Sequence, residues 1–180
     1  MASVLPRAIT PRPTYPAFRL DTVPPSARQA LTDAGRVTAQ MHWERIEHLL
    51  ERIVPVATEH RVRLGNSQED PPTPPGFRGV DKVLNDFVGM KRFIEIQRSP
   101  YHGWNFCIGS IAEMLEEPAT QVYQFIEYFG SRRTIFLVHY RNLIGGRYSF
   151  REALPDDRGR GHGVDGHPEI LAPANRAICV

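Results

Sequence analysis

Two side chains with metal-binding chemistry close apolar runs of this chain. Cys107 ends Trp104-Asn105-Phe106-Cys107, and His139 ends Ile135-Phe136-Leu137-Val138-His139. A thiolate and a neutral imidazole are both good ligands for first-row divalent metals. In a parallel α/β barrel the ends of successive strands converge on one mouth, so Cys107 and His139 would face a common site. Arg141 and Asn142 follow directly. A guanidinium at such a mouth can grip a carboxylate through two parallel hydrogen bonds, and the competing reading of Arg141 is an ion pair within a loop. On composition alone, a cysteine after Asn-Phe is more often a buried structural residue than a ligand.

Positioning these groups requires alternating strands and helices, and the apolar spacing supplies them. Trp43, Ile46, Leu50, Ile53 and Ala57 recur at three- and four-residue intervals, which predicts a one-sided helix over residues 42–59 bent near Pro55. Residues 61–65 read as a short strand, followed by a polar, proline-rich loop over 66–76. Short helices are expected over 79–85 and 88–96, strands over 103–107 and 134–138, and a helix over 120–129 stopped by Gly130. Tyr101 and His102 should precede their strand, and Ser110 is placed to cap the next helix. Strand, helix, strand, helix, strand implies a parallel sheet.

Composition sets bounds on the function. The chain has 180 residues, 41% of them apolar, enough for one domain. A complete eight-fold barrel takes about 250 residues. Twenty-two basic residues against 20 acidic ones give a net charge of only +2, without a basic patch, so no nucleic-acid partner is expected. Two distant cysteines form no disulfide framework, and no run approaches membrane-spanning length, so a cytoplasmic protein without a membrane partner is expected.

A set of motifs now carries a resemblance. Trp43-Glu44-Arg45-Ile46, Val54-Pro55-Val56-Ala57, Asp70-Pro71-Pro72, Gly79-Val80-Asp81-Lys82-Val83-Leu84, Asn105-Phe106-Cys107-Ile108-Gly109-Ser110, Phe129-Gly130-Ser131-Arg132, Val138-His139-Tyr140-Arg141-Asn142 and Phe150-Arg151-Glu152 stand in the order seen in mannonate dehydratases. Over residues 38–157 the chain resembles that family. The resemblance implies an α/β fold, a partial (β/α) TIM barrel of the xylose isomerase-like kind that lacks early strands and the last strand. It also implies dehydration of D-mannonate to 2-keto-3-deoxy-D-gluconate in glucuronate breakdown, with Mn2+ or Fe2+ as cofactor, a sugar acid as partner and a homo-oligomer as a compatible assembly.

Carried over by position, the metal ligands are Cys107 and His139, with Arg141 and Asn142 beside the substrate. Ser67 stands where the family has a first histidine, with Glu69 or Asp70 as alternative oxygen donors from the same loop. The family's Pro-Asp-His is absent, which leaves the catalytic acid and base unassigned and an impaired enzyme as the expectation.

Outside that span, residues 1–37 read as a proline-rich disordered arm and 158–180 as an irregular tail. One coding of Arg158 to Gly163, CGG GGA CGT GGA CAT GGC, gives Gly-Asp-Val-Asp-Met when read one base later, as in relatives, so the tail is expected to be out of frame. The rival readings are a sugar isomerase or epimerase on the same barrel, against which the thiolate of Cys107 argues, and a non-catalytic remnant that only associates with other subunits.

Overall fold

A computed structural model describes residues 14–153, apart from the side chain of Ala119. Its elements are β1 (Ala17–Arg19), α1 (Pro25–Gln29), α2 (Ala39–Glu59), β2 (Leu64–Asn66), α3 (Phe87–Ile96), β3 (His102–Cys107), α4 (Ile108–Ala112), α5 (Pro118–Ser131), β4 (Ile135–His139), β5 (Asn142–Gly146) and β6 (Ser149–Ala153). β2, β3 and β4 form a parallel sheet in that order, as the alternation of elements predicts. The fold is therefore mixed α/β, with a second, antiparallel sheet of order β1-β6-β5.

The core forms on one face of the parallel sheet. Trp104 and Phe106 of β3, fully buried, meet Phe93 of α3 and Phe129 of α5, with Phe93 and Trp104 ring centroids 4.8 Å apart. Trp43, Leu50 and Val54 of α2 join the same cluster. Burying a large side chain of this kind contributes about 1.5–3 kcal/mol. This cluster fixes the sheet and hence the strand ends.

Helix α2 starts three residues before its expected position, because the Thr38 hydroxyl accepts from Met41 N at 3.3 Å and caps it. The helix continues through Pro55 to Glu59. Both α2 and α5 end in the same hydrogen-bonded motif. Arg61 and Arg133 take φ of 54° and 56°, and the amides of Val62 and Thr134 reach back to Ala57 O and Phe129 O, at 2.8 and 3.1 Å. Gly130 is therefore not the stop of α5; Arg133 takes that role, and Gly130 lies within the helix. The turn at Arg61 also delays β2 to Leu64.

Three further expectations are corrected. No helix spans 79–85: a 3-10 turn at Phe77–Gly79 gives way to irregular chain, and the Glu69 carboxylate takes the amides of Val83 and Leu84 at 2.7 and 2.6 Å. Ser110 lies inside α4 rather than capping it; the cap is the Cys107 sulfur, which accepts from Ser110 N at 3.4 Å. His102 belongs to β3 instead of preceding it, is buried, and places Nδ1 2.9 Å from Gln97 O. The segment 1–37, expected to be an arm without structure, contains β1, α1 and a parallel bridge from Val37 to Val80 within its described residues. The tail, expected to be out of frame, lies outside the described residues.

Candidate functional site

Register decides which side chains share a face. Gly65 pairs with Gly103, Asn105 with Leu137, and Cys107 with His139. Because side chains alternate along a strand, Gly65, Ser67, Asn105, Cys107, Leu137 and His139 all belong to the face opposite Trp104 and Phe106. A register shift between Trp104 and Asn105 puts one extra residue into β4, since Trp104 pairs with Ile135 and Asn105 with Leu137; the parity of β4 switches there, leaving buried Ile135 with the core cluster and Leu137 and His139 with Asn105 and Cys107. Gly103 is required here for space, since a Cβ would sit 2.7 Å from the Phe136 ring and 2.4 Å from Thr134 O. The C-terminal ends of the three parallel strands thus bring Ser67, Cys107 and His139 to one edge and one face.

The three differ in environment. Cys107 is buried with a free thiol, and its amide donates to Gln68 Oε1 at 3.1 Å. His139 is exposed. Ser67 is exposed, and its hydroxyl accepts from Asn105 Nδ2 at 3.0 Å. The alternative oxygen donors of the same loop are committed elsewhere. Glu69 holds the Val83 and Leu84 amides, and Asp70 Oδ2 meets Arg141 Nη1 and the Ser110 hydroxyl. Among the described residues no group of three or more His, Cys, Asp and Glu could hold a metal. A thiol, an imidazole and a hydroxyl are a poor fit to a four-ligand Mn2+ or Fe2+ site.

Arg141 and Asn142 lie just beyond His139, and both are engaged by the protein itself. Asn142 begins β5, is buried, and accepts from Leu143 N at 3.0 Å. Arg141 binds Asp70, lies 3.1 Å from Glu152 Oε1 through Nε, and 3.6 Å from Glu113 Oε1 through Nη1. It ties the loop after β2, the end of α4 and β6 to the end of β4. Gly109 lets this happen, for a Cβ there would sit 2.8 Å from Arg141 Cγ.

Glu113 is the member of this cluster that sequence reading misses. Burial pushes its carboxyl up to about 9, helped by a hydrogen bond to Asp70 and by the charge of Asp70, while Arg141 and Lys82 pull the other way. At neutral pH it is a carboxylic acid, so its contact with Arg141 is charge to dipole. Lys82 donates to Pro71 O at 2.5 Å, and burial lowers its pKa against the opposing pull of Glu69, Asp70 and Glu113. A buried acid beside a second carboxyl group can hold and pass a proton. The site edge is therefore lined by a strand-end thiol and imidazole and backed by this charged cluster.

Comparison with known proteins identifies the family. The family model described as D-mannonate dehydratase (UxuA) matches residues 7–162, well over half of the chain. Mannonate dehydratase of Thermotoga petrophila is 32% identical over 111 residues, 61% of this chain and 29% of that protein. The enzyme of Streptococcus suis is 29% identical over 110 residues, again 61% of this chain and 29% of that protein. The crystal structure of mannonate dehydratase from Streptococcus suis serotype 2 superposes with a TM-score of 0.60 at 26% identity, covering 69% of this chain and 35% of that one. The chain thus spans under a third of the length of the curated relatives it matches. With the ordered motifs and the strand-end geometry already established, this chain belongs to the D-mannonate dehydratase family.

Proposed function

We propose that the three parallel strands are part of a (β/α) barrel of the xylose isomerase-like kind, and that the ancestral reaction is dehydration of D-mannonate to 2-keto-3-deoxy-D-gluconate in glucuronate breakdown. In this chain capture of Mn2+ or Fe2+ is weak, and turnover is correspondingly slow. One observation carries the reading: Ser67, hydrogen-bonded to Asn105, occupies the end of β2 on the face it shares with Cys107 and His139. A serine hydroxyl is a poor substitute for imidazole at a divalent first-row metal.

Such a dehydration removes a weakly acidic proton beside a carboxylate and expels hydroxide from the next carbon. A divalent metal would supply charge stabilisation for the enolate-like species. The residues described here supply a shaped strand-end face and, behind it, the proton-holding pair of Asp70 and Glu113. Arg141, held by Asp70, Glu152 and the Glu113 acid, orders that background rather than presenting an open fork.

The test is product formation from D-mannonate with Mn2+ in excess, measured as 2-keto-3-deoxy-D-gluconate. Turnover should be slow, and Cys107→Ala should abolish it. Turnover unchanged by Cys107→Ala would reject the assignment of the site.

A further inference from the structure

Two amide side chains at the strand ends each spend one atom on the protein and keep the other buried and unpaired. Gln68, 5% exposed, offers Oε1 to the Cys107 amide at 3.1 Å, and its Nε2 is buried without an acceptor among the described residues. Asn105 donates through Nδ2 to the Ser67 hydroxyl at 3.0 Å, and its Oδ1 is buried without a donor among the described residues. Each existing bond fixes which end of its amide is spare. A buried polar atom without a partner carries its full desolvation cost, so a ligand group that pairs with both atoms is stabilised.

Both amides are anchored on β3 around Ser67. Gln68 follows Ser67 in the chain and holds the amide of Cys107, whereas Asn105 holds the Ser67 hydroxyl from two residues before Cys107, on the same face of β3. Two residues of strand span about 6.6 Å. A hydroxyl that accepts one hydrogen bond and donates another at about 2.8 Å each bridges groups about 4–5 Å apart, a span that fits between these anchors. One spare donor and one spare acceptor match an alcohol; an ionised carboxylate only accepts, and an ammonium only donates. β2 and β3 are neighbours in the sheet, so the pairing of these side chains needs no further strand.

We propose that Gln68 and Asn105 together bind one hydroxyl group of a polyhydroxylated acid, with Gln68 Nε2 donating to the hydroxyl oxygen and Asn105 Oδ1 accepting its proton. The inference rests on the proposed dehydration for its class of substrate, and it names residues that select among sugar acids. A site whose buried polar groups are built to meet a hydroxyl rejects the analogue that lacks it, because both groups are then left unpaired. The pair acts in binding alone. No proton transfer is assigned to either amide.

Saturation-transfer NMR on the full chain tests this, with D-mannonate and a set of analogues each lacking one hydroxyl. Titrations are run in EDTA and again with Mg2+ as a diamagnetic divalent ion. In the wild-type chain one analogue should bind about tenfold more weakly than D-mannonate, and the others should change less. Gln68→Glu keeps the acceptor for the Cys107 amide and loses the donor, whereas Asn105→Leu loses the acceptor. In each variant D-mannonate and that analogue should bind within about twofold of one another, the mark of a coupled contact. The two ligands carry the same charge, so the comparison cancels the charge introduced at position 68. Far-UV circular dichroism confirms folding, and either folded variant suffices for the comparison. D-mannonate and every analogue binding alike to the wild-type chain, or a tenfold gap that survives in the folded variants as a merely structural role would leave it, would overturn the inference. No D-mannonate binding by the wild-type chain under either condition would instead overturn the proposed function, and this inference with it.

Discussion

Glu113 shows what a single residue can conceal. In the sequence Ala112-Glu113-Met114 it looks like any helix-flanking charge, yet its side chain is fully buried between Asp70, Arg141 and Lys82. Its partners come from the loop after β2, the segment before α3 and the end of β4, and no local pattern announces contacts so distant in sequence. Cys107 and His139 were legible because each terminates an apolar run. Their neighbours Gln68 and Asn105 were not, since an amide gives no sign of which backbone or hydroxyl it will meet.

The buried acid also makes stability depend on pH. A carboxyl with a folded-state pKa of about 9, against an ordinary 4.5, binds its proton more tightly when folded. Its stabilising contribution is complete below 4.5, is lost as pH rises through the window to 9, and changes no further above it. Glu113→Gln keeps the shape and a hydrogen-bond donor without the titration. Urea unfolding should show that variant more stable than wild type at pH 7 by on the order of 2–3 kcal/mol, with the difference vanishing near pH 4.

At the scale of elements, periodicity located α2, α3, α5 and the three parallel strands to within a few residues, because each buries one face. Two kinds of feature escaped it. The hairpin of β5 and β6 turns through Arg147 and Tyr148, the latter at φ 71°, with no Asn-Gly signal to announce it. The stretch 80–85 has helical spacing, but Glu69 claims its amides from outside. Helix ends were misplaced for a related reason, since an arginine and not the available glycine takes the left-handed position after α5. Arg133→Gly removes the side-chain strain of φ 56° and should raise stability by about 0.5–1 kcal/mol, read as a higher unfolding temperature.

At the scale of the molecule, the order of motifs identified the family, whereas no element by itself would have chosen a chemistry. The second sheet ties β1, near the beginning of the described residues, to β6 at their end, and packs Phe18 against Phe150 with ring centroids 5.8 Å apart. A proline-rich composition hid this closure, because pairing between distant segments leaves no periodic trace. Across these scales the family's fold elements persist, and the change we propose is confined to one ligand position, where Ser67 stands in place of a histidine.

Manganese binding, followed by the loss of the free Mn2+ electron paramagnetic resonance signal on titration, tests that claim most directly in the wild-type chain and in Ser67→His. Weak binding by wild type and at least about tenfold tighter binding by Ser67→His is the predicted result, in line with the cost of disturbing a metal site. Tight binding by wild type, left unchanged by Ser67→His, would contradict it.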